Sequence, residues 1–310
     1  MLMFMELEIE SVAVVGAGAL GLMYAEFLQR AGVNPYFVAD GERAARIEAA
    51  EYGVNGRGCR FPVRRPEEID EPAELIIVAV KNHHLEAVVP LLTAAAGEGT
   101  ILISVLNGIS SEAFLRGHFP GCLVPDCVAV GMDAVKEGNL LSYSSPGKLI
   151  LGFSDGPGDA SSLSRVGRLL GRAGLPYELP EDPRRSLWWK WMINIGVNQV
   201  SAVTGARYRL FQEDAELQSL MDEAMHEVVA VAGAEGIDLH EGDIERWYGV
   251  LRTLGPDGKT SMLQDIEAGR KTEVEAFSGE LIRLAEAHGL AAPVNKALFR
   301  IIRALEKRIN

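Results

Sequence analysis

Residues 11–15 form a short β-branched run that ends at Gly16-Ala17-Gly18-Ala19-Leu20-Gly21, and an amphipathic stretch through Met23, Phe27 and Leu28 follows as far as Ala31-Gly32. Such a chain must turn directly from strand into helix, which leaves few folds open to it. Glycine at 16 permits the tight turn, and glycine at 18 lets backbone approach a pyrophosphate. Glycine at 21 lets helix and strand pack closely, while the helix N-terminus offers N–H groups and a positive dipole end. A lone G-x-G-x-x-G is weak evidence. Between a strand and a helix, with a second strand expected at Tyr36–Val38, it reads as a dinucleotide-binding loop made by Gly16, Ala17, Gly18, Ala19, Leu20 and Gly21.

The second strand ends at Asp40, about two dozen residues past Gly16, where a carboxylate meets the ribose hydroxyls of NAD. The same residue suits the N-cap of a helix expected over 41–52, and the two roles are compatible. Arg43 and Arg46 on that helix can receive a 2′-phosphate or stay solvated. Residues 53–70 read as irregular, with a short strand at 60–63. A continuous apolar run at 75–80 fits a central parallel strand covered on both faces. It leads into Lys81, and a second buried run at 100–105 leads into Asn107-Gly108. Gly16, Asp40, Lys81 and Asn107 all stand at carboxyl ends of strands, where open α/β sheets bind ligands. Lys81 can neutralise phosphate or hydrogen-bond ribose, or be a plain loop lysine; Asn107 before glycine can be a turn residue. Segments at 123–130, 140–143 and 148–153 read as added strands finishing the sheet. A helix at 163–173 and a short strand at 177–179 follow. Pro180-Glu181-Asp182-Pro183 marks a domain boundary, giving domains 1–181 and 182–310.

Past that boundary every segment reads as helix. Over 185–203, Lys190, Asn194 and Asn198 recur at i, i+4 and i+8, a polar stripe among Trp188, Trp191, Ile193, Ile195 and Val197. A cation and two carboxamides in such company either satisfy a network of their own or line a pocket for a polar ligand. Helices are expected at 215–233, 244–254, 262–288 and 294–309. Ser261, at the start of the fourth of these counted from the stripe, fits an N-cap or a carboxylate receptor. Glu273 would lie about three turns further on, with Arg270 one turn before it, as on a salt-bridged helix face.

Net charge is −13, which argues against a general nucleic-acid binder and requires locally placed cations for any anionic ligand. Cys59, Cys122 and Cys127 are too few for a disulfide framework and lack zinc-ligand spacing, so the expectation is reduced thiols in a cytoplasmic protein. Residues 1–5 are apolar but short and run into Glu6, Glu8 and Glu10. They are not expected to be a signal peptide, and no later run is long enough to span a membrane.

Taken in order, Gly16-Ala17-Gly18-Ala19-Leu20-Gly21, Val80-Lys81, Asn107-Gly108, Trp189-Lys190 with Asn194 and Asn198, and Ser261-Met262-Leu263-Gln264-Asp265 with Thr272-Glu273 resemble the ketopantoate reductase (2-dehydropantoate 2-reductase) family over nearly the whole chain. The resemblance implies an α/β protein with an N-terminal Rossmann domain, an all-helical C-terminal domain and an active site in the cleft between them. It implies NAD(P)H-dependent reduction of ketopantoate in pantothenate (coenzyme A) biosynthesis, with Lys190 as the catalytic acid. Asn107, Asn194, Asn198 and Ser261 would hold the small 2-keto acid; Lys81, Asn107 and Glu273 would meet the cofactor, Glu273 also locking the closed state. The resemblance allows a homodimer. Three positions depart from the family pattern: Gln199 replaces a proline, Tyr208 stands where some members carry another asparagine, and Asp40 stands where NADPH users carry a cation. The first two bear on which keto acid is taken and the third on NADP against NAD. The alternatives are a reductase of another small branched 2-keto acid, or a redox-sensing NAD(P)-binding protein without turnover.

Overall fold

The computed structural model describes residues 8–154 and 159–309, so the apolar opening at 1–5 lies outside the described residues. The chain divides into two compact units, Met1–Arg184 and Arg185–Asn310.

The first unit begins with β1 (Val12–Val15), α1 (Ala19–Arg30), β2 (Tyr36–Val38) and α2 (Gly41–Ala49). The helix expected to run to 52 stops at Ala49, because Tyr52 opens a strand. Three short strands fill the stretch read as irregular: β3 (Tyr52–Val54), β4 (Arg57–Cys59) and β5 (Val63–Arg64). Next come β6 (Leu75–Val78), α3 (Val89–Ala95), β7 (Ile101–Ser104) and α4 (Ser111–His118). Strands β5-β2-β1-β6-β7 form a five-stranded sheet whose pairs are all parallel, so their carboxyl ends share one edge. Successive residues point to opposite faces of a strand. Val12, Val14, Phe37, Leu75 and Ile77 enter one core, while Ala13, Val15, Tyr36, Val38 and Ile76 enter the other. Burial on both faces is why these strands read as unbroken apolar runs.

The remaining strands are β8 (Asp126–Met132), β9 (Val135–Glu137), β10 (Leu140–Ser142) and β11 (Pro146–Gly152), followed by α5 (Ala160–Ala173) and β12 (Tyr177–Glu178). They do not finish the main sheet as expected. β8, β11 and β12 make a three-stranded sheet, and β10 joins β9, β3 and β4 in a four-stranded one. A single bridge, Ile101 to Leu123, links this region to the main sheet.

The described part of the second unit is helical. It comprises α6 (Pro183–Ile193, whose first turn straddles the division), a π turn at Asn194–Asn198, α7 (Gln199–Thr204), α8 (Tyr208–Glu213), α9 (Ala215–Ala234) and α10 (Glu241–Leu251). Then come α11 (Ser261–Glu267), a second π turn at Glu275–Gly279, α12 (Glu280–Ala287) and α13 (Pro293–Ile309). Proline suits the first turn of α6 and of α13, since it has no N–H to leave unpaired there. Two long helices of the sequence reading are therefore broken. The 185–203 helix contains a π turn, and the 262–288 helix ends at Glu267, with Gly269 in the left-handed region at φ 66°. Among the described residues no helix is long and apolar enough to cross a membrane, and all three cysteines are free thiols.

Candidate active site

In the first unit the sheet order sets the site. The glycine loop follows the central strand β1, Asp40 follows β2 on one side, Lys81 follows β6 on the other, and Asn107 follows β7. The four expected positions thus share one sheet edge. Asn82 Nδ2 donates to the Asn107 carbonyl at 2.7 Å, tying the turn after β6 to the turn after β7.

The three glycines of the loop have different reasons for being glycine. A Cβ on Gly16 would lie 2.5 Å from the Ala79 carbonyl oxygen, and its φ is 112°. A Cβ on Gly21 would lie 1.9 Å from the Gly16 carbonyl oxygen. Both are demanded by the fold. Gly18 has an ordinary φ of −77°, and the only atom within 4 Å of an added Cβ is the Ala79 oxygen at 3.7 Å. It is exposed and caps α1 without a side-chain acceptor. The fold would accept a side chain there; an external group approaching the α1 N-terminus would not. That is the fit expected for a dinucleotide pyrophosphate.

Asp40 occupies the N-cap position of α2, but its side chain makes no capping hydrogen bond and is exposed. Its carboxylate is therefore available to ribose hydroxyls. The pairing Val38 with Arg64 brings a cation to the same strand end, its guanidinium 4.1 Å from the Tyr36 ring centroid. Sequence reading missed Arg64 because the short strand was placed at 60–63. The signal was its register against β2, which local sequence does not carry.

In the second unit the surroundings of Lys190 are set by its tryptophans. Trp189 Nε1 donates to the Asp243 carbonyl at 3.1 Å, and Trp191 Nε1 donates to the Ala276 carbonyl at 2.9 Å. These anchors lie in α10 and in the second π turn. They fix the rotation of α6, and Lys190 projects between them, half-buried. Arg185 reinforces this by donating from Nη2 to both oxygens of buried Asp243, at 2.9 and 2.8 Å.

One α turn beyond Lys190, the π turn carries both asparagines on one face, Asn198 Nδ2 donating to Asn194 Oδ1 at 3.2 Å. The stripe does not satisfy itself, because Asn194 Nδ2 is buried without an acceptor. A buried amide donor in that state is costly. A polar ligand on this face would satisfy that donor.

Ser261 is exposed, on a helix that packs against α7 and the first π turn. It is the first residue of α11 and not its cap: Thr260 is the cap, its Oγ accepting from Leu263 N at 3.2 Å. The Ser261 hydroxyl is thus not used as a cap. Tyr208 lies close by, its ring against Gly258. Glu273 is buried in the segment between α11 and the second π turn. The helix face expected to carry it and Arg270 is not formed, because both residues lie between α11 and the second π turn, and Arg270 pairs with Asp265 at 2.8 Å.

Residues 12–156 match the family model described as ketopantoate reductase PanE/ApbA, and residues 182–306 match its C-terminal counterpart. The 2-dehydropantoate 2-reductase of Pyrobaculum aerophilum is 30% identical over 299 residues, covering 96% of this chain and 98% of that protein. The enzyme of the same name from Mycobacterium tuberculosis is 29% identical over 94% of this chain and 97% of its own length. Among solved structures, a dimeric ketopantoate reductase from Staphylococcus aureus superposes with a TM-score of 0.80 at 25% identity, covering 97% of this chain and all of that one. A D-mandelate dehydrogenase solved with NADH and anilino(oxo)acetate reaches 0.85 at 21% identity over 96% of this chain and 99% of its own, a likeness of fold alone. Matched along both of its units, and carrying a glycine loop and a Lys–Asn–Asn stripe in their expected elements, this chain belongs to the ketopantoate reductase family.

Proposed function

We propose that this chain is a 2-dehydropantoate 2-reductase, reducing ketopantoate to pantoate for pantothenate biosynthesis. The observation that carries the reading is the unsatisfied Asn194 Nδ2 beside Asn198, one turn beyond Lys190. It supports a polar ligand on a face that also offers a proton donor.

A bound reduced nicotinamide supplies the hydride that reaches the 2-keto carbon. The carbonyl oxygen then gains negative charge, which the Lys190 ammonium stabilises before Nζ delivers the proton that makes the alcohol. Asn194 and Asn198 orient the carbonyl and hydroxyl groups of the substrate, and the Ser261 hydroxyl donates to its carboxylate. Residues 16–21 receive the pyrophosphate, Lys81 the phosphate or ribose, and Asn107 reaches cofactor and substrate. Glu273 binds the cofactor. In this reading residues 1–181 serve as the dinucleotide domain and 182–310 as the substrate domain, both acting on one substrate. Asp40, uncapped and exposed, favours NADH over NADPH.

A related reading, another small branched 2-keto acid, is favoured by Gln199 and by Tyr208, whose ring packs beside the segment leading into Ser261. Loss of nicotinamide absorbance across a panel of 2-keto acids separates the two. The highest kcat/KM should fall to ketopantoate. Faster turnover of an acid lacking its hydroxyl would select the second reading, and no turnover with any keto acid would discard both.

A further inference from the structure

The π turn that bears the asparagines has a second face. Gln199, the residue after Asn198, is fully buried. Its Nε2 donates to the Ile195 carbonyl inside the π turn at 2.9 Å and to Asn295 Oδ1 at 3.1 Å. Its Oε1 accepts from Ser278 Oγ in the second π turn, and Ser278 also reaches Asn295 Oδ1 at 3.0 Å. Asn295, in α13, donates from Nδ2 to the Ala224 carbonyl at 3.1 Å and to Glu227 Oε2 at 2.7 Å, both in α9. The Glu227 carboxylate in turn accepts the N–H groups of Val294 and Asn295 at 2.8 and 2.9 Å.

Every polar side-chain atom of Gln199, Ser278, Asn295 and Glu227 is therefore used. The same turn has a saturated back and an incomplete front, where Asn194 Nδ2 stands without an acceptor. A π turn is rare and needs support from outside its own backbone. Reversion to α geometry would shift the helix beyond it by about one residue, or about 100° around the axis. Asn194 and Asn198 would remain neighbours, as any i, i+4 pair does, but Asn198 and the helix it leads into would turn to a new direction relative to Lys190 and Asn194.

We propose that Gln199 is a positioning residue: by joining the Ile195 carbonyl to Ser278 and Asn295, it holds the π turn that sets Asn194 and Asn198 against the substrate. This rests on Asn198 being a substrate ligand, as proposed above. Gln199 touches no reacting atom and acts through its neighbour.

A double-mutant cycle tests it. Gln199→Met keeps the volume and removes the hydrogen bonds. It should lower kcat/KM for ketopantoate by roughly 10- to 100-fold, chiefly through KM, a size usual for coupled neighbours. The cofactor dissociation constant, read from nicotinamide fluorescence, should move less than about threefold on the same scale. In the Asn198→Ala background the same substitution should cost less than about threefold, since the residue it positions is gone. Ser278→Ala, a smaller change, should follow the same pattern and carries the cycle if Gln199→Met does not fold. Equal losses in both backgrounds, or an unchanged kcat/KM in Gln199→Met, would overturn the positioning role and leave the substrate reading standing. An Asn198→Ala enzyme as active as the parent would remove the substrate reading itself, and the positioning role with it.

Discussion

Lys190 leaves α6 between Trp189 and Trp191, whose indoles are tied to different neighbours, so the rotation of the helix that presents it is fixed by indole hydrogen bonds. Lys190→Ala should therefore lower kcat roughly 100- to 10,000-fold, the range of a positioned general acid. Cofactor affinity should barely change, because the glycine loop is untouched; a mutant keeping most of its kcat would refute the assignment. Thr260 and Ser261 are adjacent hydroxyls with separable roles. Thr260→Ala removes a helix cap and should cost about 1 kcal/mol of stability in urea unfolding. Ser261→Ala should leave stability alone and raise the ketopantoate KM by the equivalent of about 1–3 kcal/mol. An unaltered KM would strip Ser261 of its role. Asp40 next to a 2′-phosphate would cost on the order of a few kcal/mol in repulsion at an effective surface dielectric. The expected result is a higher kcat/KM with NADH than with NADPH, and a shift toward NADPH in Asp40→Arg. A strong NADPH preference in the parent would mean that Arg43, Arg46 or Arg64 outweighs the carboxylate.

Elements place these residues through contacts that distant parts of the chain supply. The turn after β7, which carries Asn107, is closed by a buried relay in which Ser104 Oγ meets Ser111 Oγ at 2.8 Å and Ser111 donates to Glu112 Oε2 at 2.9 Å. Burial pushes the Glu112 carboxyl up to about 7 from an ordinary 4.5, the nearby Asp126 adding to the effect and Ser111 and Arg116 opposing it. Between these two pH values the folded chain keeps a proton that the unfolded chain has released. Stability therefore falls as pH rises through that window and levels off above it, a loss of about 3 kcal/mol from this group. Glu112→Gln should abolish that component and be the more stable protein at pH 8, read as the difference in urea midpoints across pH. Parallel curves for the two proteins would contradict it. The break in the expected 262–288 helix has a similarly remote cause. Thr272 donates from N and Oγ to Glu306 Oε1 at 2.9 and 2.7 Å, so α13 holds the segment out of helical register. Its apolar spacing resumes at Phe277 and Leu281, which is why periodicity alone read straight through.

At the scale of the molecule, each unit has its own internal contacts and its own part of the candidate machinery. The glycine loop, Asp40, Lys81 and Asn107 all belong to the first. A fragment ending at Arg184 should accordingly fold with a single cooperative transition and bind NADH. Fluorescence titration of that fragment checks it, and complete loss of binding would show that the first unit does not carry the dinucleotide site alone. With a net charge of −13, the chain must hold an anionic cofactor and substrate by local groups, since its overall field repels them.

Local pattern was enough for the glycine loop, the apolar strands at Tyr36–Val38 and Leu75–Val78 and the Lys190–Asn194–Asn198 stripe, because each depends on neighbours in sequence: turn geometry, two-sided burial and helical spacing. Asp40, Lys81 and Asn107 were legible as strand ends for the same reason. Tertiary structure alone decided the rest. It placed Arg64 beside β2, where strand register and not composition sets the neighbour. It transferred the cap of α11 from Ser261 to Thr260, and it separated β8, β10 and β11 from the main sheet, since a strand's hydrogen bonds do not name their partner. It also turned an α stripe into a π turn held by Gln199, Ser278 and Asn295, residues up to 96 positions apart that had to meet before any of them had a role.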